Sequence, residues 1–203
     1  MKLSQADRYA AFIVDWLRPH CCRIEIVGSI RRRRPEPNDI DLICIPKLVE
    51  KKDLLGSVES VENSLRTYLI KYVSDTARID GGLTNWRSGT EPEWDAQNLL
   101  VKLPKCEVDI WCANEENFAT RQLCRTGSKE HNIWIAQRAK DLGGHWHPYK
   151  GLTLRNGFVP ATTEAQIYEA LNLSFIPPEK RESGQFESFV RSTRMGKATE
   201  LVK

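Results

Sequence analysis

The feature that most constrains the fold is an Asp-Ile-Asp motif inside an otherwise apolar run. Asp39 and Asp41 alternate with Ile40 and Leu42. Because successive side chains of a β-strand point to opposite faces, the alternation predicts a strand over residues 39–45 with both aspartates on one face. The apolar face then predicts a packed core beneath the sheet.

A third aspartate lies in a similar setting farther along the chain. Asp109 is flanked by Val108 and Ile110. If the two strands are neighbours, the three carboxylates converge on one sheet face. Such anions repel unless a cation sits between them, and Mg²⁺ prefers oxygen ligands. Two ions about 3.5–4 Å apart can stabilise the attacking and leaving oxygens of an in-line displacement. For any single aspartate, the alternative is a solvated carboxylate on an outer sheet face.

A candidate phosphate site precedes the aspartates. Gly28 and Ser29 follow a predicted strand over residues 23–27, and Arg31 and Arg32 come next. Glycine lets backbone N–H groups approach a phosphate, and the arginine fork matches phosphate oxygens. A basic surface loop, or a nucleic-acid patch without catalysis, is the alternative. The order Gly-Ser, arginines, Asp-x-Asp favours nucleotidyl transfer.

Helical and strand patterns divide the remaining chain. A first helix is expected after Ser4 as its N-cap. Apolar residues at helical spacing predict a second helix: Leu54, Leu55, Val58, Val61, Leu65, Leu69 and Tyr72. Apolar runs at residues 99–103 and 108–112 predict a hairpin.

The last eighty residues have a different character. A helix is expected from Ser128 to about residue 142, followed by short strands within residues 149–159. The segment Thr163–Gln166 has the form of a capping box, and Pro177-Pro178 is expected to end the helix that follows.

Composition excludes several classes of protein. The 203 residues carry a net charge of only +3, so charge alone does not establish nucleic-acid binding. No signal peptide is evident, and no window reaches the roughly 18–20 apolar residues of a membrane span. None of the six cysteines forms a C-x-x-C pair. These observations predict reduced thiols and a cytoplasmic location, or a virus-encoded protein acting in its host cell.

Three blocks of the sequence resemble the family X DNA polymerases, which are DNA polymerase beta-like nucleotidyltransferases. The first runs from Val27 to Arg32 and continues in Asp39–Leu42, which resembles the palm signature. The second is Thr126-Gly127-Ser128 with Asn132, and the third runs from Glu164 to Arg181. They occur in the family's order.

The resemblance implies an α+β fold: a nucleotidyltransferase palm whose mixed or antiparallel sheet carries the metal carboxylates, plus a small α/β thumb. The palm is expected over residues 1–120, the thumb over 121–185 and a polar C-terminal tail over 186–203. A lyase and a fingers domain are expected to be missing.

The resemblance also assigns roles to residues. Asp39, Asp41 and Asp109 would be the catalytic carboxylates and would hold two Mg²⁺ ions, which Mn²⁺ can replace. The nucleotide-binding set would be Gly28, Ser29, Arg32, Cys124, Arg125, Gly127, Ser128 and Asn132. Arg31 and Glu164 would form a latch between palm and thumb.

Five positions depart from the family pattern. Cys124-Arg125 replaces an aromatic pair that senses the sugar 2′ position, and Glu107 replaces a basic residue near the third carboxylate. Lys129 replaces an acidic residue, and Ala136 replaces an arginine that reaches the template. Template use and sugar choice therefore stay open.

The function expected from these features is that of a monomeric DNA polymerase that adds dNMP from dNTP to a primer 3′-hydroxyl in gap filling or repair. A template-independent terminal or RNA nucleotidyltransferase is one alternative, and a non-catalytic nucleic-acid-binding module is another. Five basic residues are candidates for DNA backbone contacts, with scattered solvated charges as the alternative: Lys150, Arg155, Arg181, Arg191 and Arg194.

Overall fold

The computed structural model describes residues 1–71, 98–103, 106–148, 150–182 and 186–191. Its helices are α1 (Leu3–Leu17), α2 (Gly28–Arg31), α3 (from residue 64, described to residue 71), α4 (Phe118–Thr126), α5 (Lys129–Asp141) and α6 (Glu164–Ala170). Its strands are β1 (Cys21–Ile26), β2 (Ile40–Pro46), β3 (Leu48–Lys52), β4 (Val58–Asn63), β5 (Asn98–Leu103), β6 (Cys106–Cys112), β7 (His145–His147), β8 (Gly151–Leu154) and β9 (Gly157–Val159).

A four-stranded mixed sheet forms the centre of the predicted palm, in the order β1-β2-β6-β5. Strands β2 and β6 run parallel, and the other neighbours are antiparallel, so the predicted pairing of β5 with β6 is confirmed. Ile40 and Leu42 are fully buried in the core shared with α1 and α3. On the opposite face, Ile43 and Trp111 pack with Phe118 of α4. The α+β class and the buried apolar face of β2 are both confirmed.

The predicted thumb has its own core. Helices α4, α5 and α6 and the sheet β7-β8-β9 contribute buried residues, among them Ile135, Ile167 and Tyr168. Ser128 caps α5, and Thr163 and Gln166 form the predicted capping box of α6. None of the helices in the described ranges combines the length and apolar character of a membrane-spanning segment.

The predicted helix over residues 54–72 is wrong in its first half. Residues 48–63 form an antiparallel hairpin of β3 and β4, and the helix begins only at residue 64. The Asp53 carboxylate accepts the backbone N–H groups of Leu55 and Ser57, each at 2.8 Å, which closes the turn. Only Leu65 and Leu69 of the described stripe are buried, and Tyr72 lies outside the described residues.

Two smaller expectations also need correction. Helix α1 begins at Leu3 with Lys2 at its N-cap, so Ser4 lies inside the helix. Helix α6 ends at Ala170, well before Pro177-Pro178. Within the predicted C-terminal tail, Phe186 is buried in the thumb core, whereas residues 192–203, including Arg194, lie outside the described residues.

Candidate active site

The parallel pairing of β2 and β6 places two of the predicted catalytic carboxylates side by side. Asp41 and Asp109 are direct register partners, and Asp39 immediately precedes β2. All three residues are partly exposed, whereas Ile40 and Leu42 between and beyond them are buried. The sequence pattern thus produces an acidic group on one face of a rigid sheet.

The charges of Asp39 and Asp109 act on the carboxyl group of Asp41. Burial raises the pKa of the Asp41 carboxyl to about 7, and the charges of Asp39 and Asp109 contribute to the rise. The Trp111 indole N–H donates to Asp41 Oδ1 at 3.5 Å and, with the charge of Arg125, opposes it. The two neighbouring carboxylates are therefore close enough to disfavour ionisation of Asp41.

This donor set fits a hard divalent cation. Mg²⁺ takes carboxylate oxygens, and a cation would relieve the repulsion that raises the Asp41 pKa. Within the described residues, no three acidic, histidine or cysteine side chains are placed so that together they could hold a metal ion. The fit to a cation therefore rests on the chemistry of the three carboxylates and on their shared sheet face.

Gly28 and Ser29 lie directly against this acidic group. Gly28 has φ +64°, and a Cβ built on it would overlap the Asp41 carboxylate, so only glycine fits here. The Ser29 hydroxyl oxygen is buried without a hydrogen-bond partner among the described residues. An unpartnered buried hydroxyl is costly unless it serves a ligand, so its position suits a bound anion.

A cavity of about 620 Å³ opens beside the aspartates. That volume lies within the range typical of small-molecule sites. Its lining combines arginines with two of the aspartates: Gly28, Ser29, Arg32, Arg34, Pro35, Glu36, Asn38, Asp39, Asp41 and Arg125. A polyanion held with a divalent cation matches this arrangement of charge.

The two arginines after Ser29 contact the thumb differently. Arg31 forms a two-pronged ion pair with Glu164, the other predicted latch residue, with Nη1–Oε1 and Nη2–Oε2 distances of 2.9 and 2.8 Å. Arg32 donates to the Thr126 carbonyl and, through Nε at 2.5 Å, to Glu182. Arg32 also lines the cavity, so it belongs to both the candidate phosphate site and the thumb contact.

Five of the predicted nucleotide-binding residues form a block in the thumb, from Cys124 to Asn132, and of these Arg125 lines the cavity. Its guanidinium carbon lies 3.1 Å from the centre of the Trp111 ring, a cation–π contact. Cys124 is partly buried, and burial raises the pKa of its thiol.

The other three residues of this block serve the fold of the thumb. The Ser128 hydroxyl donates to the Arg181 carbonyl at 2.6 Å and caps α5, and Gly127 has φ +69° beside Arg32. The Asn132 amide donates to the Cys124 carbonyl at 2.8 Å, while its Oδ1 is buried without a partner among the described residues. Their nucleotide contacts stay predictions.

Sequence reasoning missed three residues of the site. Trp111 follows Asp109 by two positions on the same strand face, a signal that strand alternation already contains. Arg181 was expected at a DNA backbone, but its side chain is fully buried and forks onto Glu164 at 2.9 and 3.1 Å. Glu182 had no distinguishing sequence signal.

Glu107, which the sequence marks as a departure from the family pattern, is partly buried on β6.

Comparison with known proteins agrees with this geometry. A model of the DNA polymerase beta thumb matches residues 121–182. The chain is 40% identical over 167 residues to the DNA polymerase/3′-5′ exonuclease PolX of Bacillus subtilis, covering 82% of this chain and 25% of that protein. It is 33% identical over 78 residues to DNA polymerase IV of Saccharomyces cerevisiae, covering 36% of this chain and 12% of that protein.

A solved structure shares the fold. A ternary complex of Leishmania infantum polymerase beta matches with a TM-score of 0.62 and 19% identity, over 90% of this chain and 76% of that chain. The chain thus spans about a quarter of the length of the PolX relative and most of this structure. The chain is therefore similar in sequence to two DNA polymerases and similar in fold to polymerase beta, and its motifs resemble those of the family X DNA polymerases.

Proposed function

We propose that this chain is the catalytic palm and thumb of a DNA polymerase, which adds dNMP from dNTP to a primer 3′-hydroxyl and releases pyrophosphate. One observation carries the proposal: Asp41 and Asp109 stand in register beside a cavity that holds an unpartnered serine hydroxyl and cationic side chains. The relatedness to DNA polymerases supports it.

Asp39, Asp41 and Asp109 are the residues that would hold two Mg²⁺ ions. When bound, such ions stabilise the charge on the attacking and leaving oxygens. Ser29 and Arg32 would bind the outer phosphates, since both line the cavity. The rigid β2–β6 pair fixes the carboxylates before substrate arrives, which lowers the cost of reaching a reactive geometry.

DNA is the proposed polymer substrate. Lys150, Arg155 and Arg191 are exposed on the thumb side and are available for phosphate contacts, whereas Arg181 is not. A role in gap filling or repair, a monomeric state and a cytoplasmic location stay predictions.

Substitution of Asp109 tests the proposal. Asp109→Asn keeps the shape of the side chain but removes a negative charge, so primer extension on gapped DNA with Mg²⁺ should fall by about 1,000-fold, which corresponds to several kcal/mol of transition-state stabilisation. Asp15→Asn is a matched control, because Asp15 is exposed on α1. Undiminished extension by the Asp109 variant would exclude the two-metal site.

The same assay separates the alternatives. A single-stranded primer without template, run beside the gapped duplex, measures the requirement for a template. Parallel reactions with dNTPs and NTPs measure sugar choice at the site where Cys124 and Arg125 stand. Failure of the wild-type chain to incorporate any nucleotide would favour a non-catalytic nucleic-acid-binding module.

A further inference from the structure

We infer that Glu182 is a positioning residue, which holds Arg32 in place at the cavity and thereby makes triphosphate affinity depend on docking of the thumb. The inference rests on the proposed function, because it assigns the cavity to a triphosphate. Glu182 does not line that cavity itself, so it acts through Arg32.

The Arg32 guanidinium is fixed from the thumb side. Its Nε donates to Glu182 Oε1 at 2.5 Å, and its Nη1 donates to the Thr126 carbonyl. A Cβ built on Gly127 would come within 3.1 Å of Nη1, so the glycine leaves just enough room for this contact. The side chain is only 12% exposed. Two of the five guanidinium N–H donors are thus engaged, which leaves donors for phosphate oxygens.

Glu182 extends from an anchored backbone. The preceding residue, Arg181, is fully buried and forks onto Glu164. The Arg181 carbonyl accepts the Ser128 hydroxyl at 2.6 Å, which ties this segment to the start of α5. Because this backbone is already held, ordering the Glu182 side chain against Arg32 costs little additional entropy.

The same carboxylate attracts a second arginine of the cavity. Arg34 Nε lies 3.9 Å from Glu182 Oε1, and Arg34 also lines the cavity. Glu182 therefore draws two cationic side chains toward the thumb edge of the candidate phosphate site. Arg34 is 55% exposed, so its contribution is screened by solvent and is the smaller of the two.

A competing effect has the opposite sign. A carboxylate near a cationic cavity also lowers its attraction for a polyanion, so removal of Glu182 would then strengthen triphosphate binding. The geometry favours positioning. The contact to Arg32 is short and largely shielded, whereas repulsion of a ligand in the open cavity acts through solvent and is screened by salt.

Calorimetric titration of the full chain with a non-hydrolysable dNTP and Mg²⁺ tests the inference. Glu182→Ala should weaken binding about fivefold, as expected for a partly exposed charge-assisted hydrogen bond. In primer extension, the variant should raise the KM for dNTP more than it lowers kcat. Glu182→Gln keeps an acceptor for Arg32 Nε and should bind within about twofold of wild type, because it preserves the geometry.

Two controls separate positioning from a general loss of structure. Glu179→Ala removes an exposed carboxylate from the adjacent turn Pro178–Lys180 and should leave affinity unchanged. In an Arg32→Ala background, the Glu182 substitution should cause little further loss, because most of the effect passes through Arg32 and only the smaller, screened one through Arg34. Melting temperatures of all variants show whether the fold is intact.

Each outcome is decisive. Tighter binding by Glu182→Ala, or an equal loss in the Arg32→Ala background, would overturn the positioning role. If wild type binds the triphosphate and Glu182→Ala binds it equally, this inference fails while the proposed function stands. If wild type binds no triphosphate, both fail.

Discussion

Asp41 stands where burial and two neighbouring carboxylates oppose its ionisation. These effects raise its pKa from an ordinary value of 3.8 to about 7. Between about pH 4 and pH 7 the folded metal-free chain therefore binds more protons than the unfolded chain, and its stability falls as the pH rises through that window. The ionised Asp41 carboxylate therefore lowers the stability of the metal-free fold at neutral pH.

Asp41→Asn should therefore stabilise the metal-free chain at pH 8, by at most about 4 kcal/mol, because the amide removes a charge that the fold disfavours. The gain should shrink toward pH 4, where the wild-type carboxyl is protonated. Urea unfolding in EDTA at pH 8 and pH 4.5 measures both. The exposed Asp15→Asn control should show little change at either pH. A variant no more stable than wild type at pH 8 would contradict the assigned pKa.

Single residues also show how far the sequence could lead. The β2 alternation was sufficient to predict that Ile40 and Leu42 are buried and that Asp39 and Asp41 lie at the sheet face. Strand alternation places Trp111 on the face of Asp109, but its contacts with Asp41 and Arg125 were not predictable, because they join three elements distant in sequence. The burial of Arg181 escaped for the same reason, since its partner Glu164 is 17 residues away.

At the level of elements, α5 and α6 followed from their caps, whereas the β3–β4 hairpin did not follow from periodicity. Leu54, Leu55, Val58 and Val61 match a helical stripe, yet all four are exposed on or beside the hairpin. Helical spacing predicts a helix only if the apolar face finds a core to pack on. The turn at Asp53–Ser57, with Gly56 at φ +85°, prevents a helix from forming across these residues.

The cap of α5 gives a prediction about elements. The Ser128 hydroxyl accepts the His131 N–H at 3.3 Å and donates to the Arg181 carbonyl, so it joins the start of α5 to the end of the thumb. Ser128→Ala should lower the free energy of unfolding by about 1–2 kcal/mol.

Ser4→Ala is the matched control for this cap. Ser4 lies exposed inside α1 and caps nothing, so its replacement should be neutral or slightly stabilising. Urea unfolding of both variants at pH 7 gives the comparison. An equal effect of the two substitutions would contradict the assigned role of Ser128.

At the scale of the whole molecule, the core on the sheet face that includes Phe118 and the thumb core meet through a small set of contacts. Helix α4 contributes Phe118 to the core on the sheet face and Leu123 to the thumb core. Beside it, Glu164 accepts Arg31 from the palm and Arg181 from the thumb. One carboxylate therefore pairs with two guanidinium groups, of which Arg181 is fully buried.

Glu164 should thus be the most sensitive charged residue for the stability of the molecule. Burial alone would raise its pKa, but hydrogen bonds from Arg181 and Arg31 and their charges lower it below 4.5. Its contribution is then present at neutral pH and is lost as the pH falls below 4.5 through the folded-state pKa. Glu164→Gln leaves Arg181 buried without a compensating charge and should cost about 3–5 kcal/mol at pH 7.

Two further variants show which ion pair accounts for this loss of stability. Arg31→Ala removes only the partly exposed partner and leaves Glu164 paired with Arg181, so it should cost less than Glu164→Gln. Glu169→Gln, exposed on the same helix, should be neutral. Calorimetric unfolding of the three variants ranks their losses of stability. The Arg31 pair joins the palm to the thumb, whereas the Arg181 pair lies within the thumb. Arg31→Ala should therefore make the two cores unfold at more widely separated temperatures, with only a small loss of stability in either core. A single unshifted transition for Arg31→Ala would show that the Arg31 pair is not needed to couple them.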